Sequence, residues 1–137
     1  MDGMSTVMDA IGLYQTQYGQ VDTIWGYYSV VTLAVVGFVL GSDKAVRTMR
    51  EPLAIVGAYL VFCIGNHLAL REEYAQLRQL SDIAIKLAEP LEMDISSFEP
   101  MPQWLIQGTH AAFVIAVCAG VLFVARSRIR ARDKSAA

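Results

Sequence analysis

Three long stretches without a charged residue constrain this chain more than any other feature of its sequence. Every Asp, Glu, Lys and Arg lies outside residues 23–41, 53–70 and 104–125, although charged residues make up 18% of the chain. As helices these stretches would be roughly 27–33 Å long, close to the ~30 Å hydrocarbon core of a bilayer. A surface helix of a soluble protein needs a polar face, which none of them supplies. The sequence therefore predicts an all-α integral membrane protein with three transmembrane helices.

The basic residues are distributed unevenly between the two predicted sides of the membrane. Residues 42–52 and 126–137 hold eight of the eleven Lys and Arg residues, whereas residues 1–22 hold none and residues 71–102 hold three. The positive-inside rule places the loop at 42–52 and the tail at 126–137 in the cytoplasm. We therefore expect a multi-pass protein of the bacterial cytoplasmic (inner) membrane, with its N-terminus outside and its C-terminus in the cytoplasm.

Helices 1 and 2 are predicted to continue beyond the bilayer on its outer face. Apolar residues recur at helical spacing in residues 1–22 and again in residues 71–89, where charged residues fill the intervening positions. Helix 1 is expected to begin near Ser5, and helix 2 to end near Glu89 because Pro90 cannot continue it. A short cytoplasmic loop makes the two helices antiparallel neighbours, so their outer extensions are expected to pair.

The same pattern of apolar and charged residues predicts the remaining segments of the chain. Residues 90–102 form an acidic, proline-containing outer loop, and the third span is expected at 103–125, followed by the basic tail. Pro52 is acceptable in the first turn of helix 2, although an earlier turn with a kink at Pro52 is an alternative. The chain as a whole is interpreted as one membrane domain, residues 1–137.

Two groups of residues are candidates for helix packing or for contacts between copies. Small residues at four-residue spacing let helix backbones approach closely in lipid. Apolar residues of the outer extensions form stripes that can pair within the chain or with another copy. The small residues are Gly37, Gly41, Ala112, Ala116 and Gly120, and the stripe residues are Tyr14, Tyr18, Leu77, Leu80 and Leu87.

His67 and His110 are the two histidines of the chain, and both lie within the predicted spans. Both are expected in the outer leaflet, within roughly 5 Å of the same depth. A histidine pair on facing helices could ligate haem or a metal, hydrogen-bond a quinone or serve a proton or substrate path. No carboxylate accompanies the pair in the spans, so hydrogen bonding across helices is the competing interpretation and no cofactor is the leading expectation.

The tail places a basic residue at every second position. Arg126, Arg128, Arg130, Arg132 and Lys134 are typical of a topology determinant that also binds anionic lipid head groups. The tail has no aromatic residues among its basic ones, so nucleic-acid binding is not expected.

The sequence carries no recognised catalytic motif, such as a phosphate-binding glycine loop or a zinc-protease signature. We therefore expect a non-enzymatic membrane protein that acts through assembly, either as a homo-oligomer or as an accessory subunit of a larger complex. A redox subunit that binds haem, a metal or a quinone at His67 and His110 is the alternative. An oligomeric pore is a further hypothesis.

Overall fold

Three long α-helices make up most of the chain in the computed structural model, which describes residues 2–136 and the side chains of residues 3–135. Helix α1 is Asp2–Gly41, α2 is Arg50–Ala88 and α3 is Gln103–Ala136. Single 3-10 turns lie between them at Lys44–Val46, Glu89–Leu91 and Ser96–Phe98. Each of the three long helices is long enough and apolar enough to cross a membrane, which confirms the three helices predicted from the uncharged windows.

Helix α2 begins with a capping arrangement that was not predicted from the sequence. The Thr48 hydroxyl accepts a hydrogen bond from the Arg50 amide at 3.2 Å, and the Thr48 amide donates to the Glu51 carboxylate at 2.8 Å. This reciprocal pair is a capping box, which satisfies amides that have no partner within the helix. The bonds from Thr48 lower the pKa of Glu51. Pro52 consequently lies in the first turn of α2, where its missing amide leaves no hydrogen bond unmade.

The other helix ends differ little from the predicted ones. Helix α1 begins at Asp2 rather than near Ser5, and α2 ends at Ala88, immediately before the 3-10 turn that contains Pro90. Helix α3 begins at Gln103 as expected, but it continues without a break through the basic tail to Ala136.

The chain divides into two compact units. The first unit comprises the residues up to Trp25 together with Leu68–Gln107, and the second comprises Gly26–His67 together with the residues from Gly108 onward. In the first unit, buried residues form two small cores: Val7, Ala10, Ala84, Ala88 and Ile95 in one, and Tyr14, Val21, Leu70 and Leu77 in the other. In the second unit, the buried core consists of Val39, Val46, Val121 and Ala125.

The segment before α3 packs within the first unit rather than acting only as a connector. Phe98 packs edge-on against Tyr14 with the ring centroids 5.3 Å apart, and its carbonyl accepts a hydrogen bond from the buried Ser81 hydroxyl at 3.0 Å. The Ser96 amide donates to the Asp94 carboxylate at 3.0 Å and thereby lowers the pKa of Asp94. The local turn bond, the Phe98–Tyr14 ring contact and the Ser81 hydrogen bond together hold this acidic segment in place.

Candidate functional site

Polar side chains from all three helices meet inside the second unit, within the apolar spans. We call this group the polar cluster: Tyr28, Thr32, Tyr59, Asn66, His67 and His110. Helix α1 supplies the first two, α2 the next three and α3 only the last. Buried polar groups are costly unless they hydrogen-bond one another, so a cluster drawn from three helices is a candidate site.

The structure brings the two sequence-predicted histidines into contact. The His67 and His110 ring centroids lie 5.4 Å apart, with 41° between the ring planes. His110 is buried, and its Nε2 lies 3.5 Å from the Asn66 Nδ2, whereas His67 is half-buried. The Tyr28 ring packs on His110 at a centroid distance of 4.7 Å. One imidazole is thus enclosed by protein, and the other is partly accessible from outside the unit.

The tyrosine half of the cluster was not predicted from the sequence. The buried Tyr59 hydroxyl donates to the Tyr28 hydroxyl at 3.3 Å and lies 2.9 Å from the Thr32 hydroxyl. Buried tyrosines usually find such a hydrogen-bond partner. A signal was present, because Tyr59 precedes Asn66 by seven residues and Tyr28 precedes Thr32 by four, spacings that place each pair on one helix face.

The chemistry of the cluster favours hydrogen bonding over metal coordination. Within the described residues there is no group of three or more His, Cys, Asp or Glu side chains that could hold a metal ion. Structural and catalytic metal sites generally use three or four protein ligands. Imidazoles and phenols can both donate to a carbonyl oxygen, so a neutral ligand with carbonyl groups matches the cluster better than a cation.

The small residues predicted for helix packing lie on exposed surface. Gly37, Gly41, Ala112, Ala116 and Gly120 are all exposed, and a Cβ atom added at any of these glycines would meet nothing within 4 Å. Helix α3 instead contributes Val121 and Ala125 to the buried core of the second unit. The small-residue faces are therefore not the seam on which this unit packs.

The predicted apolar stripe residues divide into three groups. Tyr14 and Leu77 are buried in the core of the first unit, so they already have partners within the chain. Leu80 and Leu87 are half-buried and pack against the two cores. Tyr18 is 53% exposed.

The basic tail also divides, because its alternating arginines lie on different faces of α3. Arg128 donates to the carbonyl oxygens of Leu40 at 2.7 Å and Val39 at 3.3 Å. Arg132 donates to the Val46 carbonyl at 3.3 Å and forms an ion pair with Asp43 at 3.2 Å. The remaining basic residues, Arg126, Arg130 and Lys134, are exposed. Two of the five residues predicted to bind lipid head groups thus bind the chain itself.

Comparison with known proteins found no relative of this chain. No protein-family model, no curated protein and no solved structure matches the chain.

Proposed function

We propose that this chain is a protein of the bacterial inner membrane with its N-terminus outside and its C-terminus in the cytoplasm. Exposure within the apolar stretches supports membrane embedding, since only 11%, 17% and 17% of the three 18-residue stretches are buried. A soluble bundle would leave side chains such as Leu33 (71% exposed) and Phe123 (73% exposed) in water at a large cost. Lipid around the helices removes that cost.

Antiparallel pairing of the outer parts of α1 and α2 belongs to the same proposal. Val7 near the start of α1 clusters with Ala84 and Ala88 near the end of α2, whereas Val21 clusters with Leu70. Contacts that run in opposite directions along the two helices support an antiparallel pair.

The orientation is tested with reporter fusions. A reporter that is active only in the cytoplasm is expected to be active after Ala137 and inactive when inserted beside Glu92, because the two basic segments are retained inside. The reversed pattern would contradict the proposed orientation, and activity at both positions would contradict the third span.

The function we propose is non-enzymatic assembly, with other copies of the chain or with other membrane subunits. The observation that carries it is an apolar stripe on α1 within the first unit. Met4, Met8, Ile11 and Tyr18 recur at intervals of 4, 3 and 7 residues, which places them on one helix face; Met4, Met8 and Tyr18 are 49%, 56% and 53% exposed. This stripe lies before the first uncharged window, where the proposed topology places it in water.

A water-exposed apolar stripe of this spacing is typical of a helix that pairs with another helix. Within the chain, Val7 and Tyr14 already occupy the neighbouring face of α1 that packs on α2. The stripe can therefore pack against a further helix, which a second copy or a partner subunit would supply.

Native mass measurement in detergent and in lipid nanodiscs tests assembly. The unmodified protein is expected as a defined multimer or complex, and the double variant Met8→Gln/Tyr18→Gln as a species of lower mass. The control Gln20→Ser changes an exposed residue that is already polar and is expected to leave the mass unaltered. A strictly monomeric protein that purifies with no partner in both media would refute the proposal.

A second candidate function is quinone binding at the polar cluster. The contact between the half-buried His67 and the buried His110 favours it, because a lipid-soluble ligand could reach one imidazole from the membrane. The Tyr59 hydroxyl already donates to the Tyr28 hydroxyl, so the imidazole N–H groups are the proposed donors to the ligand. A quinone carbonyl is an acceptor that these donors match without a metal.

Cofactor content and quinone binding distinguish haem, a metal and a quinone as ligands of the polar cluster. We expect purified protein to show no Soret band and no stoichiometric metal, and to bind a soluble quinone analogue. His67→Phe is expected to weaken that binding by at least about tenfold, the effect of one hydrogen bond of ~1.4 kcal/mol. Thr109→Val, a change beside His110 at an exposed polar position, is the matched control. Equal binding by both variants would exclude the polar cluster as the binding site.

A further inference from the structure

An apolar groove lies between α1 and α3 within the second unit. It has a volume of about 340 Å³, and every residue that lines it is apolar, including Val36 and Leu40 of α1 and Val117, Gly120 and Val124 of α3. Gly120 has no Cβ atom, and open space extends for at least 4 Å from the position that a Cβ would take. A larger side chain can therefore be introduced at this lining position without displacing backbone.

A cationic side chain lies at one end of the groove. Leu40 and Val39 both line the groove, and their carbonyl oxygens accept the hydrogen bonds from the Arg128 guanidinium. Carbonyl oxygens carry only a partial charge, so they leave most of the positive charge of Arg128 uncompensated. Arg132, one turn further along α3, is paired with Asp43 instead. The groove thus combines an apolar body with a positive charge at its end.

This combination matches one occupant better than the alternatives. An acyl chain fits an apolar groove between two spans, and the phosphate of an anionic phospholipid is attracted to basic residues at the membrane surface. A second copy docked by the same groove would bring its own basic tail, Arg126 to Lys134, close to that of the first copy. Like charges in proximity oppose such a contact.

We propose that this groove binds one acyl chain of an anionic phospholipid, whose phosphate lies beside Arg128. The inference rests on the membrane location proposed above. It is independent of the assembly stripe on α1, which belongs to the first unit. The reporter fusions test the location separately, so failure of lipid binding and failure of the location are distinguishable.

Native mass spectrometry of protein released from nanodiscs tests the groove. Unmodified protein is expected to retain about one phosphatidylglycerol per chain and much less phosphatidylcholine. Gly120→Leu fills the groove and is expected to reduce retained phosphatidylglycerol by at least about fivefold. Gly57→Leu makes the same change at an open position of α2 away from the groove, and is expected to retain as much as the unmodified protein.

The charge is tested by Arg128→Gln, which keeps an amide donor for the α1 carbonyls while removing the positive charge. It is expected to abolish the preference for phosphatidylglycerol, whereas Arg130→Gln, at an exposed position on another face, is expected to preserve it. Equal retention by Gly120→Leu and Gly57→Leu would overturn the proposal. Retention of both lipids to the same extent by unmodified protein would also overturn it. Loss of a dimer in Gly120→Leu with unchanged lipid retention would assign the groove to a second copy.

Discussion

Replacing Leu77 with alanine is expected to lower the free energy of unfolding of the first unit by about 2–5 kcal/mol. Leu77 is 0% exposed and lies in the core with Tyr14, Val21 and Leu70. Each of the two cores in this unit contains only four or five buried residues, so the loss of one leucine side chain removes a large share of the buried apolar contacts. The alanine therefore leaves both lost apolar burial and an unfilled space.

Hydrogen exchange along residues 70–88, followed together with thermal unfolding, measures this effect. Opening of the first unit exposes these amides, so protection is expected to fall by the same free energy in the Leu77→Ala variant. The control is Ile83→Ala on the same helix, where the side chain is 49% exposed and the expected change is within about 0.5 kcal/mol. Equal losses in the two variants would contradict the packing described here.

The three helices could be predicted because a single physical requirement dominates them. A run of about twenty uncharged, mostly apolar residues has the length of a helix that could cross a membrane, and each such run lies within one of the three long helices. Helical spacing also predicted apolar stripes on the outer extensions, and two of the stripe residues, Tyr14 and Leu77, are buried in the first unit. Helical spacing does not determine how wide the buried face of α1 is, so Tyr18 belongs to the same predicted stripe and is nevertheless exposed.

Features that depend on how each helix is rotated about its own axis were harder to predict. Depth along each span placed His67 and His110 at one level, but the rotation of α2 and α3 about their axes decides that their rings meet and that Asn66 joins them. Rotation likewise leaves Ala112 and Ala116 exposed, although their spacing resembles that of a packing seam. The folding of Phe98 onto Tyr14 is a contact between distant segments that no local pattern encodes.

The basic tail shows most clearly what sequence pattern leaves open. Alternating arginines indicate a cytoplasmic anchor, but an α-helix turns 200° between every second residue, so alternate positions lie on nearly opposite faces. Arg128 and Arg132, four residues apart, share one face and reach the carbonyls at the end of α1 and in the loop that follows. Arg126 and Arg130 share another face and are exposed.

The double variant Arg128→Ala/Arg132→Ala is accordingly expected to destabilise the second unit by about 2–4 kcal/mol. The last carbonyls of a helix have no partner within it, and α1 ends at Gly41, so the oxygens of Val39 and Leu40 depend on Arg128. A cation there also compensates the negative end of the helix dipole. The Arg132–Asp43 ion pair adds less, because Asp43 is 88% exposed and water screens it.

The matched control, Arg126→Ala/Arg130→Ala, also removes two positive charges from α3. If the basic tail acts only through its charge, as the positive-inside rule treats it, the two double variants should be equally stable and equally oriented. If Arg128 and Arg132 hold the end of α1, only their removal should lower the unfolding temperature and the hydrogen-exchange protection of residues 36–46. The difference in stability between the two double variants therefore separates the contribution of the carbonyl hydrogen bonds from that of net charge. Equal unfolding temperatures would contradict a role of Arg128 and Arg132 in holding the end of α1.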